Sequence, residues 1–286
     1  MSNRTALVIG AGGFTGRHVM AQLSGEGWTA VNARDHGLDL TDPASISRTL
    51  DAAKPDAVIN LAAIATLDVT ERDPIFAVNA FGVLNLLEAL AARQFRGRVI
   101  SASSAYVYGP VQSRDPIPET QPPAPHNLYA CAKLLAESFC AMHAEKLDIV
   151  VTRPFNAIGR GHRDTFLVPK IVRHFRDRAP RIELGNTAVA RDYTDVRDLA
   201  RMYTALLDAK DPPRRLHLCN GQAVSIADLI ATLSELTGHR IEVSVNPAFI
   251  RANDVLYQCG ATDGLKQLGY AWRYTLQDTL RWMLDE

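Results

Sequence analysis

Short apolar runs alternate with stretches of helical periodicity along most of this chain, and that alternation confines it to a parallel sheet joined by helical crossovers. Ala6-Leu-Val-Ile9, Ala57-Val-Ile-Asn-Leu61, Val99-Ile100 and Ile149-Val-Val151 are short and almost wholly apolar, the mark of strands covered on both faces. Between them Phe76, Ala80, Val83, Leu84, Leu87 and Ala91 recur at helical spacing, and 128–145 runs without glycine or proline. Both segments read as long helices. The class expected is α/β, a doubly wound parallel sheet with a smaller C-terminal α/β cap.

Five prolines after Pro110 (Pro116, Pro118, Pro122, Pro123 and Pro125) make 110–126 a loop packed over the sheet edge rather than a linker. Beyond Arg153 the units interleave. Segments 164–177, 179–186 and 236–258 read as helices and strands of the cap, and 195–220 as a return to the main sheet. The division expected is 1–158, completed by about 187–222, against a second unit of 159–186 and 223–286.

Composition excludes several roles. Thirty-one Lys plus Arg balance 31 Asp plus Glu, and no basic run exists to follow a phosphate backbone, so no nucleic-acid partner is expected. A chain of 286 residues, 47 % hydrophobic and 22 % charged, is too apolar for disorder and buries enough surface to fold without disulfides or a structural metal. Cys131, Cys140, Cys219 and Cys259 form no CxxC pair and the eight histidines no HxxxH, which predicts free thiols in a reducing compartment and no metal site. The apolar stretch 58–67 falls far short of the roughly 20 residues that span a bilayer. Met1-Ser-Asn-Arg4 offers no secretory h-region. A cytoplasmic protein without a membrane segment is expected.

Chemistry enters at Gly10-Ala-Gly-Gly13-Phe-Thr-Gly16, directly after the first strand and opening a helix. Gly10, Gly13 and Gly16 allow a tight turn and close backbone approach to a pyrophosphate, whose charge then sits at the helix N-terminus. The strand before and the helix after make this a dinucleotide site of Rossmann type. In Tyr129-Ala-Cys-Ala-Lys133 the phenol and the ammonium share one helical face. A phenol with a pKa near 10 transfers its proton poorly at neutral pH unless a cation favours the phenolate, and Lys133 supplies one. Ser104, in Ser101-Ala-Ser-Ser104-Ala-Tyr-Val-Tyr-Gly109, follows a strand at the edge where open α/β sheets bind ligands. There it would hydrogen-bond the reacting oxygen while Tyr129 exchanges its proton.

Taken together with Asn60-Leu-Ala-Ala63, Asn79 in Val78-Asn-Ala-Phe-Gly-Val83, and Arg153-Pro-Phe-Asn156, these motifs stand in the order of a known family. Nearly the whole chain resembles an extended short-chain dehydrogenase/reductase of the nucleotide-sugar epimerase/dehydratase family. Within it, Arg153-Pro-Phe-Asn-Ala-Ile-Gly159, Arg191-Asp-Tyr-Thr-Asp-Val-Arg-Asp198 and Leu218-Cys-Asn-Gly221 are most similar to the GDP-4-keto-6-deoxy-D-mannose reductases, which form GDP-D-rhamnose. The resemblance implies catalysis by Ser104, Tyr129 and Lys133. For the cofactor it implies contacts from Gly10, Gly13, Phe14, Thr15, Gly16, Arg34, Asp39, Leu40, Leu61, Ala62, Ala63, Tyr129, Lys133 and Pro154, with Asp39 on the adenine amino group. For a sugar nucleotide it implies Ser104, Tyr129, Asn156, Val168, Lys170, Arg191 and Arg251. Arginine suits a diphosphate as a planar fork, although Asp192 and Asp254 offer Arg191 and Arg251 the alternative of a surface ion pair. Asn79 is expected to shape the site through a hydrogen bond from helix to strand. Family members usually carry Gly-Pro-Gly where this chain has Gly159-Arg-Gly161, and a proline and a glutamate where it has Ala252 and Asp254.

The reaction expected is reduction of an NDP-4-keto-6-deoxyhexose, GDP-linked, at C4. Dehydratases of the family carry an acidic pair after the catalytic hydroxyl, where this chain has Ala105 and Tyr106, so elimination of water is disfavoured. An NAD-retaining 4-epimerase needs the same Ser/Tyr/Lys set and is the alternative; a cofactor-sensing binding protein is a further one, disfavoured because all three residues are present. After the second strand comes Val31-Asn-Ala-Arg34-Asp35. An Arg there accommodates the 2′-phosphate of NADP and an Asp the ribose of NAD, so NADP(H) is preferred with NAD(H) possible through Asp35. The resemblance also suggests a homodimer through the helices at 74–93 and 128–145.

Overall fold

The main sheet is six-stranded and parallel throughout, in the order β2-β1-β3-β4-β5-β9. The computed structural model describes residues 4–65, 72–249 and 255–286. β1 (Thr5–Ile9) leads through α1 (Phe14–Gly25) to β2 (Thr29–Asn32), and α2 (Pro43–Ala53) carries the chain back past β1 to β3 (Ala57–Asn60). α3 (Arg72–Phe76), a π-helical turn (Ala77–Phe81) and α4 (Gly82–Ala92) run on as one helix before β4 (Arg98–Ala102), and α5 (Leu128–His143) precedes β5 (Asp148–Pro154). There follow β6 (Asn156–Ile158), α6 (Leu167–Arg176), β7 (Arg181–Leu184), β8 (Ala190–Asp195), α7 (Val196–Asp208) and β9 (Arg215–Leu218). The chain ends with β10 (Ala223–Ser225), α8 (Ile226–Thr237), β11 (Glu242–Val245), β12 (Tyr257–Gln258), α9 (Asp263–Gln267) and α10 (Leu276–Leu284).

Alternation along β1 divides the core. Ala6 and Val8 face α1 and α7, packing with Val19, Leu23, Leu199 and Tyr203. Leu7 and Ile9 face α2, α4 and α5, packing with Ile46, Leu50, Leu87 and Ala136. Because crossovers are right-handed, moving outward to β2 and then back to β3 puts α1 and α2 on opposite faces. The chain therefore diverges at the ends of β1 and β3, which is where an open sheet leaves a crevice. Helix starts follow local chemistry: the Asp42 carboxylate accepts from Ala44 N–H with Pro43 in the first turn, and Asn127 Oδ1 accepts from Ala130 N–H at 2.8 Å.

The segment 110–126 runs as a loop across the β9 edge. Ile117 is buried against Val107, Tyr108 and Phe155, and the Glu119 carboxylate accepts the N–H of His217 on β9 at 2.9 Å, covering an edge donor. The continuous helix Arg72–Ala92 is long and apolar enough by length and composition to cross a bilayer, although Asn79 and Asn85 break its apolar run. In the fold Ile75, Val83, Leu86, Leu87 and Leu90 of that helix are buried against the sheet and α5.

β8 organises the second layer, pairing with β10, β12 and β6, while β7 pairs with β11. Ile171, Phe175, Leu229, Leu233 and Leu280 fill its core. Although β8 lies within 187–222 it belongs to this layer, whereas α7 and β9 belong to the main sheet. Asp192 on β8 joins the two. Its buried carboxylate accepts N–H groups of Asn220 and Gly221 at 2.8 Å and of Gly260 at 3.3 Å. Burial pushes this carboxyl up to about 6, and those hydrogen bonds oppose the rise. Asp192→Asn keeps the shape but turns an amide N–H toward backbone donors. The midpoint of chemical denaturation should fall by an amount equivalent to about 2 kcal/mol, and an unchanged midpoint would refute the joint.

Candidate active site

A parallel sheet places the C-terminal ends of all its strands on one edge, so Gly10, Arg34, Leu61, Ser104 and Pro154, which end or follow β1 to β5, gather there. Gly10 has φ of 85°, and a Cβ on it would lie 2.7 Å from the Ala62 nitrogen. A Cβ on Gly16 would lie 2.7 Å from the Ala11 Cα. Only glycine lets β1, α1 and the strand end of β3 approach so closely. α1 starts from Gly13 with no side-chain cap, leaving its first N–H groups to an anion. This cradle fits a dinucleotide pyrophosphate. Phe14 and Thr15 open α1 partly exposed; Leu61, Ala62 and Pro154 are also partly exposed, and Ala63 is exposed.

At the end of β2, Arg34 is exposed, and its side chain makes no hydrogen bond or ion pair among the described residues. Asp35 is engaged: its carboxylate accepts from Asn32 Nδ2 at 2.8 Å. Asp39 accepts from the Thr41 N–H and hydroxyl, which hold its carboxyl below the usual carboxylate range. Leu40 is buried, and its carbonyl accepts from Asn85 Nδ2 at 2.9 Å.

Ser104, Tyr129 and Lys133 come together where β4 meets α5. Ser104 is buried and begins the turn Ala105–Tyr108, its Oγ accepting from Tyr106 N–H at 3.2 Å. Lys133 is buried and donates to the Ala102 carbonyl at 2.7 Å, with its Nζ 6.0 Å from the Tyr129 ring centroid. Burial pushes the Tyr129 phenol up to about 12, against a hydrogen bond from Ser104, and pushes the Lys133 ammonium down to about 8. The cation does not make Tyr129 a phenolate at rest: burial governs the phenol, which holds its proton throughout the neutral range. A proton donor needs that form. No carboxylate follows Ser104: Ala105 is buried and Tyr106 meets Tyr129 edge to face at 6.4 Å.

The residues carried over for the sugar nucleotide are spread over the second layer. Asn156 on β6 donates to the Asp192 carbonyl at 3.2 Å, and β6 runs beside the β8 segment holding Arg191, which is partly exposed. The Asp192 carboxylate, offered above as a partner for Arg191, takes backbone N–H groups instead. Lys170 on α6 donates to the Glu183 carbonyl at 2.9 Å and lies 5.0 Å from the Phe249 ring centroid. Val168 is buried in the core of this layer, its side chain committed to packing. Arg251, with Ala252 and Asp254, lies outside the described residues.

Glu137 and His162 escape a reading of motifs, whereas Asn79 and Arg153 stand in motifs and find partners that no motif names. Asn79, in the π-helical turn, pairs with both the N–H and the carbonyl of Ile64 at 2.8 and 2.9 Å. Its partner is the loop after β3 rather than the strand. Arg153 makes a bidentate pair with Glu137 at 2.6 and 2.8 Å. Glu137 stands four residues beyond Lys133, a spacing that could have flagged it. The loop after β6 is tied to α1: Phe14 stacks on His162 at 4.1 Å, and Arg17 donates to the Gly161 carbonyl at 2.7 Å. Burial pushes the His162 imidazole down to about 4, so it is neutral.

Comparison with known proteins agrees with this geometry. The profile of the NAD dependent epimerase/dehydratase family matches residues 6–219. The chain is 34% identical to GDP-6-deoxy-D-mannose reductase of Pseudomonas aeruginosa, over 98% of this chain and 95% of that one. It is 30% identical to GDP-6-deoxy-D-talose 4-dehydrogenase of Aggregatibacter actinomycetemcomitans, over 98% and 95%. The structure of RMD from Pseudomonas aeruginosa complexed with NADPH superposes with a TM-score of 0.90 at 33% identity, covering 99% of this chain and 98% of that one.

Gly12 offers a clean test of the cradle, because a Cβ there meets nothing within 4 Å. Gly12→Asp adds a carboxylate at the mouth of α1 without a clash. Titration with NADPH should show binding about tenfold weaker or worse, with the thermal midpoint unchanged; equal affinity would remove the pyrophosphate from this turn.

Proposed function

The chain belongs to the NAD dependent epimerase/dehydratase family, and from that premise we propose that it reduces the C4 ketone of an NDP-4-keto-6-deoxyhexose, GDP-linked, at the expense of NADPH. The observation that carries this reading is the meeting of Ser104, Tyr129 and Lys133 at the end of β4, on the same edge as the glycine cradle. Relatives named as a GDP-6-deoxy-D-mannose reductase and a GDP-6-deoxy-D-talose 4-dehydrogenase support the substrate class.

A bound nicotinamide supplies the hydride for C4, and the chain handles the proton. Tyr129, protonated at neutral pH, gives its hydroxyl proton to the ketone oxygen as charge develops there. Ser104 turns its one hydroxyl proton from the phenol to the same oxygen. Lys133, charged below about 8, steadies the phenolate left behind, an interaction strengthened by its dry surroundings. With Ala105 and Tyr106 after Ser104 there is no carboxylate pair to remove water, which favours reduction over 4,6-dehydration.

NADPH is favoured over NADH because Arg34 is exposed at the end of β2 while Asp35 is tied to Asn32. The main sheet, with α7 and β9 completing it, would hold the cofactor, and the layer built on β8 the sugar nucleotide, with Asn156, Lys170 and Arg191 turned to it. Phe81, 49% exposed at the end of the π-helical turn, and Met142, 73% exposed on α5, suit a homodimer across that face, which sedimentation velocity reads directly. Free cysteines suit a cytoplasmic enzyme in a reducing compartment.

Mixing the protein with NADPH and GDP-4-keto-6-deoxymannose should consume NADPH absorbance in step with ketone loss. Tightly copurifying NAD and interconversion of an unoxidised NDP-hexose would establish the epimerase instead. Tyr129→Phe should lower kcat by about 10² to 10⁴. The wild-type rate should decline as pH rises past about 8, where Lys133 loses its charge; a flat profile through that range would exclude the ammonium. Arg34→Ala should weaken NADPH about tenfold while leaving NADH nearly unaffected, and equal losses for both would assign Arg34 no part in the choice.

A further inference from the structure

We propose that Glu137 is a positioning residue for this site, a buried carboxylate that fastens the ends of β4 and β5 to α5 and keeps Lys133 in its charged form. The proposal rests on the reading of Lys133 as part of the catalytic set.

Three residues on one face of α5, each four apart, grip three consecutive residues at the end of β4. Tyr129 takes a hydrogen bond from Ser104, Lys133 donates to the Ala102 carbonyl at 2.7 Å, and Glu137 accepts from Ser103 Oγ at 2.5 Å. Glu137 is thus the third rung of the ladder whose first two rungs are the proposed acid and its cation. Its other bonds reach β5, where Arg153 is fully buried and forks onto both carboxylate oxygens at 2.8 and 2.6 Å. Arg153 also lies over the Tyr108 ring at 4.7 Å, and its Nη1 has no hydrogen-bond partner among the described residues.

Two cations and one anion are buried within a few residues of each other, and only the anion makes the cations tolerable. Groups facing Lys133 and Glu137 come from several neighbouring elements: Tyr129 and Cys140 on α5, Tyr108 after β4, Arg153 on β5, and Arg215 on β9 at 4.0 Å from Glu137. Burial drives Lys133 toward neutrality, which an ionised Cys140 and then the Glu137 carboxylate oppose. The thiol of Cys140, itself pushed up to about 11, is neutral and cannot replace it. Arg153 has no comparable influence on Lys133.

The test is a titration of Lys133 by NMR in the full chain labelled with ¹³C at the lysine side chains, its signal identified as the one lost in Lys133→Met. The wild-type midpoint should lie near about 8. Glu137→Gln should lower it by about 1 or more, and Glu137→Asp should fall between. Should the single variant misfold around the unpaired Arg153, Glu137→Gln with Arg153→Met leaves no isolated buried ion, and the lower midpoint should persist. In the same variants the alkaline limb of kcat should move to lower pH by the same amount, with KM for the sugar nucleotide within about twofold. A folded variant with the wild-type midpoint would overturn the proposal. The titration needs no substrate, so failure to reduce the ketone would overturn the proposed activity and leave Glu137 to be judged on the midpoint alone.

Discussion

Parallel strands cannot be joined by a tight turn, and that constraint sets the rest of this molecule. Every crossover in the main sheet must return the chain to the opposite end, so helices cover both faces and the strands must be apolar on both. The same return gathers all the strand ends on one edge. It also points the N-terminus of α1 at that edge, which adds a partial positive charge to a backbone already opened by Gly10 and Gly16. A chain with no net charge can therefore present a site for a phosphorylated ligand without any basic run, because the attraction comes from oriented N–H groups and a few placed cations.

Placement of charge inside the fold follows a second rule, that a buried ion must be matched. Lys133, Arg153, Glu137 and Asp192 are all withdrawn from water, and each is satisfied differently. Arg153 and Glu137 fork together, Lys133 rests on a carbonyl, and Asp192 collects backbone N–H groups from the ends of β9 and β12. Such groups contribute little net stability but penalise any other arrangement, which is how they fix where β4, β5 and β8 end relative to α5. The reactive residues inherit that rigidity.

What was legible in the sequence was local. Gly10 to Gly16, the Tyr129 and Lys133 spacing, and the apolar runs all encode their structure within a few residues, so pattern alone placed them. Arg153 and Glu137 are sixteen residues apart and Asp192 meets Gly260 across sixty-eight, distances at which no periodicity exists to read. The helix Arg72–Ala92 was half legible: its apolar spacing was visible, but polar Asn79 and Asn85 interrupt the run, and only the fold shows the amide of Asn79 matched to Ile64. Tyr129 shows the limit of inference from residue type. Its neighbouring cation was readable, yet the burial that raises the phenol depends on the whole surround.

The loop at Gly159-Arg-Gly161 carries this reasoning furthest. Proline at the middle position, usual in the family, would restrict the backbone by its ring. Here Gly159 and Gly161 have φ of 155° and 80°, and a flexible Arg160 stands between them. The restriction comes from outside: Arg160 Nε donates to the Trp282 carbonyl and its guanidinium lies 5.3 Å from the Trp282 ring, while His18 and Arg17 hold the carbonyls of Arg160 and Gly161. Phe14, first residue of α1, stacks on His162, which stacks in turn on Phe166 at 4.2 Å just before α6. An intrinsic restraint has been replaced by tethers to α1 and α10. The loop is therefore as well placed as those two helices are. Packed rings thus join α1 at the glycine cradle to the start of α6, the helix that bears Lys170.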